Sequence, residues 1–179
     1  TTRNAGFACF GSPTELVRDL TTQDEAATFA RVKDRWDGLQ LLKATVDMHT
    51  ADNVPCGGYE LFFSEDELAW ADTVDQIPRF NQLAHEATGV KNAYQIKTPA
   101  ESGLPFSGLR QVVYMPHEAR IHPGKMHQLL VAQAINMGVP VIRGVEVEHI
   151  HTDGQYAQMT TTDPGILRTR QIVVATNGL

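Results

Sequence analysis

The sequence predicts an α+β fold: a helical first half, then mixed and antiparallel strands that finish in a three-stranded meander. Three observations lead there. Apolar residues between Phe29 and Val46 recur at spacings of three and four, the period of a helix with one buried face. Beyond residue 140 short apolar-polar runs are separated by Asp153-Gly154 and Asp163-Pro164-Gly165, residue pairs that favour tight turns. The 179 residues, 42% of them hydrophobic, suffice for the core of one domain and lie well outside the disordered class.

The elements follow in order. A small-residue loop, Thr1 to Gly11, runs into a helix start at Ser12, with Pro13 in the first turn and Glu15 completing a capping box. Thr22 and Glu25 form a second box, opening a helix that carries Phe29, Val32, Trp36, Leu39, Leu42 and Val46 on one face. Gly38 interrupts it at a propensity cost of about 1 kcal/mol, which predicts close packing or a bend there. Tyr59, Leu61 and Phe63 alternate as in a strand with one buried face. Ser64 and Glu67 open the next helix, which Pro78 kinks or divides and Gly89 stops.

In the second half, Tyr94 to Lys97 and Gln111 to Met115 read as strands joined by a Pro/Gly/Ser loop from Thr98 to Gly108. After the His122-Pro123 turn, Met126, Leu129, Leu130, Ala134 and Met137 mark a helical face, with Gly138 as the stop. Pro140 to Ile142 reads as a short strand, and Val145 to His151, Gln155 to Thr161 and Ile166 to Ala175 as the meander. The apolar run Ile172 to Ala175 is that of a strand covered on both faces.

Charge and motifs exclude several function classes. A net charge of −6 without a basic run argues against nucleic acid and anionic membrane as partners. The two cysteines, Cys9 and Cys56, lie far apart without metal-ligand spacing, as expected of reduced, partly buried thiols in a cytoplasmic protein. No stretch approaches the about 20 apolar residues of a membrane span. His149 and His151 share a strand face but lack a carboxylate or cysteine partner, and His117, His122 and His127 lack helical pair spacing, so no metal site is expected. Neither a nucleophile elbow nor a P-loop is present.

Three segments carry a family resemblance: Arg3-Asn4-Ala5-Gly6-Phe7-Ala8-Cys9-Phe10-Gly11-Ser12, then Ile121-His122-Pro123-Gly124-Lys125-Met126 leading into Leu129-Leu130, and finally Ile172-Val173-Val174-Ala175-Thr176-Asn177-Gly178. In this order they resemble FAD-dependent oxidoreductases of the D-amino-acid oxidase and glycine oxidase type. The sequence holds no G-x-G-x-x-G motif. The resemblance therefore implies an internal fragment: an incomplete FAD-binding domain with part of the substrate domain. On that view residues 1–20 are a flavin-contact loop and helix, 21–120 a helical and substrate-domain-like part, and 121–179 part of the FAD-binding domain.

The resemblance also implies site residues. Asn4, Ala5, Gly6 and Phe7 correspond to the loop passing the flavin ring and ribityl chain, and Thr1 and Thr2 to positions near the ribityl or pyrophosphate. Val147 matches a position whose main chain pairs with the adenine edge. Ala175, Thr176 and Gly178 would lie beside the phosphate-binding segment, although Asn177 departs from the family pattern. Tyr114 and Arg110 are the candidates for substrate contact; no catalytic side chain is identified.

The implied activity is oxidation of an amine or amino acid by hydride transfer to flavin, with this chain alone inactive and holding FAD weakly or not at all. A fragment of this kind would expose apolar surface near Val173 and the long helix, which predicts self-association. Two alternatives stand: a non-catalytic α+β binding or assembly module, and an FAD enzyme acting on an amine of a larger molecule.

Overall fold

The computed structural model describes residues 4–162 and 165–176, which divide into two compact units, Thr1–Gln133 and Ala134–Leu179. The first unit begins with the two-residue strand β1 (Phe7–Ala8) and helices α1 (Pro13–Asp19) and α2 (Glu25–Thr45). Strand β2 (Gly58–Phe63) leads through a 3-10 turn, Ser64–Asp66, into α3 (Glu67–Val74) and α4 (Ile77–Thr88). Then come β3 (Gln95–Lys97), α5 (Pro99–Ser102), β4 (Leu109–Met115), β5 (Ala119–Arg120) and α6 (Pro123–Asn136), the last running past the division.

Pro13 opens α1 as expected, but the Ser12 side chain makes no capping bond, and Glu15 instead forms an ion pair with Arg35 of α2 at 2.8 Å. The longer helix is capped by Asp24, whose carboxylate accepts the Ala27 N–H at 2.7 Å, not by Thr22. Thr22 donates back to the Asp19 carbonyl in the preceding turn. An aspartate one residue before the first helical position reaches the unpaired N–H groups, whereas Thr22 is two residues too early. The helix continues unbroken past Gly38, where nothing lies within 4 Å of a β-carbon position, so the close packing offered as one explanation is absent. Pro78 divides α3 from α4 by sitting in the first turn of the second helix, and Gly89 ends α4 in the left-handed region at φ 75°.

Strand β4 is the centre of a three-stranded antiparallel sheet, flanked by β2 and β3. Its core face meets the helices: Phe10, Leu16, Phe29, Val32, Phe62, Phe80, Tyr94, Val113 and Met115 belong to one buried cluster. In β2 the buried side chain is Phe62, while Tyr59, Leu61 and Phe63 sit on the more open face. The expected face was therefore inverted: Phe62 is the buried side chain although its side of β2 also carries Glu60, so alternation in the sequence points to the other face. Asn81 fixes the segment entering β3, its amide accepting the Tyr94 N–H at 2.9 Å and donating to the Tyr94 carbonyl at 2.8 Å. The Pro/Gly/Ser loop holds an unexpected short helix, α5, closed by a reciprocal Thr98–Glu101 capping box.

The second unit is an antiparallel meander, β6 (Val147–Thr152), β7 (Ala157–Thr161) and β8 (Ile166–Thr169), in sequential order. Gly154 turns the first hairpin at φ 91°. Two expectations fail here. Pro140 to Ile142 forms no strand, and Ile172 to Ala175 lies beyond the end of β8 with Val173 88% exposed. Apolar composition alone does not make a strand; among the described residues neither segment has a ladder partner.

Candidate functional site

The loop at the amino-terminal end is built by its own short-range bonds. The Asn4 side chain accepts the Gly6 N–H at 2.8 Å, an Asx turn that lets Gly6 adopt φ 73°. A β-carbon on Gly6 would fall 2.5 Å from the Ile121 carbonyl, so only glycine lets the two chains approach this closely. The Gly6 carbonyl accepts the Ile121 N–H at 2.8 Å, and β1 then pairs antiparallel with β5. On its other edge Arg120 bridges Val54 through bonds of 2.9 and 3.0 Å. The loop is thus the edge of a small ribbon fixed to the turn before α6.

Asn4 and Ala5 are exposed, and Phe7 is 72% exposed, a large apolar surface on a rigid loop. Phe10, three residues on, is fully buried in the core. Beside the loop runs a groove of about 430 Å³ lined by Phe7, Ala8, Cys9, Arg35, Gly38, Leu39, Leu42, Ile121 and Met126. Gly38 leaves the α2 wall open there. His122 opens α6 by accepting the Lys125 N–H at Nδ1, 3.3 Å away, and Lys125 pairs with Asp52 at 2.7 Å.

The two substrate candidates both lie on β4 but sit in different surroundings. Tyr114 packs against Tyr59 with ring centroids 4.8 Å apart, beneath the Lys97 ammonium at 4.3 Å. Gly57, at φ 74°, backs onto the same ring: a β-carbon there would lie 2.3 Å from it. Arg110 donates from Nε to Ser64 Oγ at 3.0 Å and lines a cleft of about 360 Å³ with Phe62, Phe63, Ser64, Glu67, Trp70 and Gln111. Tyr114 does not reach that cleft.

In the second unit Val147 is the first residue of β6, pairs with Thr161 and is 47% exposed. Ala175 and Thr176 are exposed and lie outside regular structure. Thr1, Thr2 and Gly178 fall outside the described residues. Among the described residues no group of three or more His, Cys, Asp or Glu side chains is placed to hold a metal ion, and no helix is long and apolar enough to cross a membrane. Cys9 and Cys56 are free thiols on exposed residues, with the Cys9 sulfur partly desolvated.

One group behind the loop was not anticipated. Glu118, in the turn between β4 and β5, is only 7% exposed, and its Oε1 has no hydrogen-bond partner among the described residues. Its Oε2 lies 2.0 Å from where a β-carbon on Gly58 would be. Burial pushes its carboxyl up to about 7; the Phe10 N–H opposes this, while the charges of Glu60 and Glu15 reinforce it. A glutamate in a three-residue connection between strands ordinarily reads as solvated. The only trace in the sequence is Gly57-Gly58, whose missing side chains leave the space that Glu118 and Tyr114 fill. Cys9 is held above its ordinary value by desolvation of its thiol and then by the Glu118 charge. Tyr94, whose hydroxyl donates to the Gly11 carbonyl at 3.1 Å, is raised chiefly by burial.

The comparisons with known proteins bear on this arrangement. The sequence profile of FAD dependent oxidoreductases (DAO) matches residues 1–179. L-proline dehydrogenase from P. horikoshii is similar in structure with a TM-score of 0.64 at 17% identity, over 83% of this chain and 38% of that one. Glycine oxidase from Bacillus cereus gives 0.61 at 15% identity, over 95% and 43%. L-amino acid deaminase from Proteus myxofaciens, in complex with anthranilate, gives 0.59 at 18%, over 83% and 33%. No curated protein matches the sequence. The chain thus spans about two fifths or less of the length of these structures, with which it shares the fold. With the profile matched from its first residue to its last, this chain belongs to the FAD dependent oxidoreductase (DAO) family.

Proposed function

We propose that these residues are the flavin-contacting interior of an enzyme that oxidises an amine or amino acid. The observation that carries the reading is the rigid edge at Asn4 to Phe7, which presents an exposed phenylalanine beside an apolar groove within a chain whose family is FAD dependent. These residues fit the ring end of FAD: an apolar wall for a planar heterocycle, and a glycine-tight backbone that holds the loop in place. They do not fit the diphosphate, for which the sequence offers no glycine-rich turn at a helix start.

In this reading Asn4, Ala5, Gly6 and Phe7 line the ring and ribityl chain, with Thr1 and Thr2 preceding them. Val147 offers its backbone to the adenine edge, and Ala175, Thr176 and Gly178 belong beside the phosphates. Bound FAD would supply the hydride acceptor for the carbon bearing the amine, whose nitrogen would lose a proton, and water would hydrolyse the imine product to a carbonyl compound and ammonia or an amine. The chain's own contribution is to orient and to exclude water: Phe7 covers the ring, and the Tyr59–Tyr114 face with Arg110 meets the substrate. Three similar structures bear names of enzymes of proline, glycine and other amino acids, which supports a small amino acid or amine as substrate.

Flavin absorbance after purification tests both halves. The longer protein should carry FAD and lose flavin absorbance when an amino-acid substrate is added without an electron acceptor. These 179 residues alone should bind FAD weakly or not at all. A longer protein without flavin overturns the enzyme reading, and tight stoichiometric FAD on the 179 residues overturns the division of labour.

A further inference from the structure

Arg110 owes its place to an irregularity in the sheet. Strands β2 and β4 pair residue for residue from Gly58–Met115 to Phe62–Gln111, but the next pair is Phe63–Leu109. Arg110 is therefore the extra residue of a β-bulge, left without a partner on β2. A bulge re-aims the side chain it frees, and this one lines the cleft with Phe62, Phe63 and Trp70, which Tyr114 does not reach. The bulge also lies far from the flavin-contact loop. The opposite end of the ladder, Gly58–Met115, leads into the turn at Glu118 and the ribbon of β5 and β1 that carries the loop. The strand between Gly58 and Phe63 spans about 17 Å, so an amino acid held at Arg110 does not also lie against Phe7.

Two opposite charges line this cleft without meeting. Arg110 gives its Nε to Ser64 Oγ at 3.0 Å, which leaves both terminal nitrogens of the guanidinium unpartnered among the described residues. The carboxylate of Glu67, the first residue of α3, lines the same cleft and likewise has no partner among them. A simple anion at Arg110 would also meet the charges of Glu65, Asp66 and Glu67, and a simple cation at Glu67 would meet the guanidinium. A molecule carrying both charges satisfies each. The walls supply the rest: Trp70 packs edge-on against Phe62 at 5.2 Å, and about 360 Å³ suits a small ligand with an apolar body. We propose that the Arg110 cleft is a subsite for an amino-acid zwitterion with a large apolar side chain, remote from the flavin-contact loop. The free guanidinium fork takes the carboxylate, Glu67 takes the ammonium, and the side chain lies against Trp70 and Phe63. That this ligand is also the enzyme's substrate rests on the function proposed above; the binding does not.

Titration of the whole chain with phenylalanine, followed by nuclear magnetic resonance, tests this without cofactor. The chain's two tryptophans serve as reporter and control. The Trp70 indole N–H should shift and saturate in roughly the millimolar range, as expected for charges open to solvent, together with the amides of Ser64, Glu67 and Gln111. The indole of Trp36, packed on Phe10 in the core, and the amides of Asn4 to Ala8 should stay still. 3-Phenylpropionate and phenethylamine, each with one of the two charges, should bind about tenfold more weakly, and so should glycine, which lacks the side chain. Arg110→Gln and Glu67→Gln should each weaken phenylalanine by about tenfold. Equal affinity for the four probes, no saturable shift at Trp70, or unchanged binding in either variant overturns the proposal. Shifts at Asn4 to Ala8 without those at Ser64 place the ligand at the loop and overturn it too. If a variant does not fold, the four probes on the parent chain decide. A longer protein that lacks flavin yet binds phenylalanine here removes the enzyme reading alone; a flavin enzyme whose cleft ignores phenylalanine removes this proposal alone.

Discussion

Residues 4–133 and residues 134–176 treat their apolar side chains in opposite ways. In the first unit aromatic rings close on one another: Phe10 meets Trp36 edge-on at 5.4 Å, Phe29 meets Phe80 at 5.9 Å, and Phe62 meets Trp70 at 5.2 Å. In the second, Ala157 and Thr161 are the buried residues among those described, while Val147, Ile150, Ile166, Leu167 and Val174 are exposed. The cause is architectural. Helices cover one face of the β2–β4–β3 sheet, supplying the second layer that a core requires, whereas the meander is a single layer. The lesson is that the packed core resides in the first unit, while the second has almost no buried side chains among those described. Sequence composition, uniformly apolar across both, does not show this.

The strongest way to break that contrast is to hollow the first core. Phe80 is fully buried and touches Phe29 and Tyr94 at 5.9 and 6.4 Å. Phe80→Ala should destabilise the chain by about 4 kcal/mol, the cost of a large-to-small change in a closed core. Urea unfolding followed by tryptophan fluorescence measures it; a loss below about 1 kcal/mol would mean the core is not closed.

Glu118 sharpens the contrast through pH. Its carboxyl is raised from 4.5 to about 7 in the folded chain, so folding takes up a proton between those values. Its stabilisation is full below pH 4.5, falls as pH rises through that window and is gone above 7. Glu15, lowered by its bond to Arg35, has the opposite sign and loses its contribution as pH falls below the ordinary carboxylate range. Relative to the parent, Glu118→Gln should therefore gain stability between pH 4.5 and 8, by on the order of 3 kcal/mol from the 2.5-unit difference. Urea midpoints at stepped pH give the difference directly, and a difference that does not change with pH refutes the assignment.

How far these features could be read in advance depended on whether neighbours in the chain determine them. The long helix was legible because Phe29, Val32 and Leu39 declare its buried face locally, and Gly89 and Gly138 mark helix ends by left-handed backbone. The cap at Asp24 and the short helix after Thr98 were equally local, written in side chains that bond three residues on, yet the spacing of Thr22 and Glu25 points to a cap at Thr22 and the Pro/Gly/Ser composition to a loop from Thr98 to Gly108. The orientation of β2 was not local: choosing Phe62 over Leu61 requires knowing where α3 and α4 lie. The loop at Asn4 to Phe7 stood out through its family resemblance, yet its anchoring to Ile121 spans over a hundred residues. Glu118 was illegible for the same reason, since its burial depends on glycines sixty positions earlier.

Gly57 tests that long-range fit. Alanine there must hold φ 74° and meet the Tyr114 ring at 2.3 Å, costs that add to about 2 kcal/mol once the half-buried ring swings aside. Urea unfolding of Gly57→Ala should show the loss, and near-ultraviolet circular dichroism should report the moved Tyr59–Tyr114 pair. Gly103, also at positive φ but with nothing within 4 Å, is the control: Gly103→Ala should leave the near-ultraviolet signal unchanged.

The smallest expected effect on folding falls in the second unit. Val173 is 88% exposed and packs into no core, so Val173→Ser should change unfolding free energy by less than about 0.5 kcal/mol. Its effect should appear in association instead. Val173 and Val174 form a strongly exposed apolar pair, the kind of surface that draws two copies together when nothing else covers it. Sedimentation at rising concentration should show the parent chain self-associating and Val173→Ser shifted toward monomer, at equal urea midpoints. If the unfolding free energy drops by about 2 kcal/mol while association is unchanged, Val173 is a core residue and the contrast between the units fails.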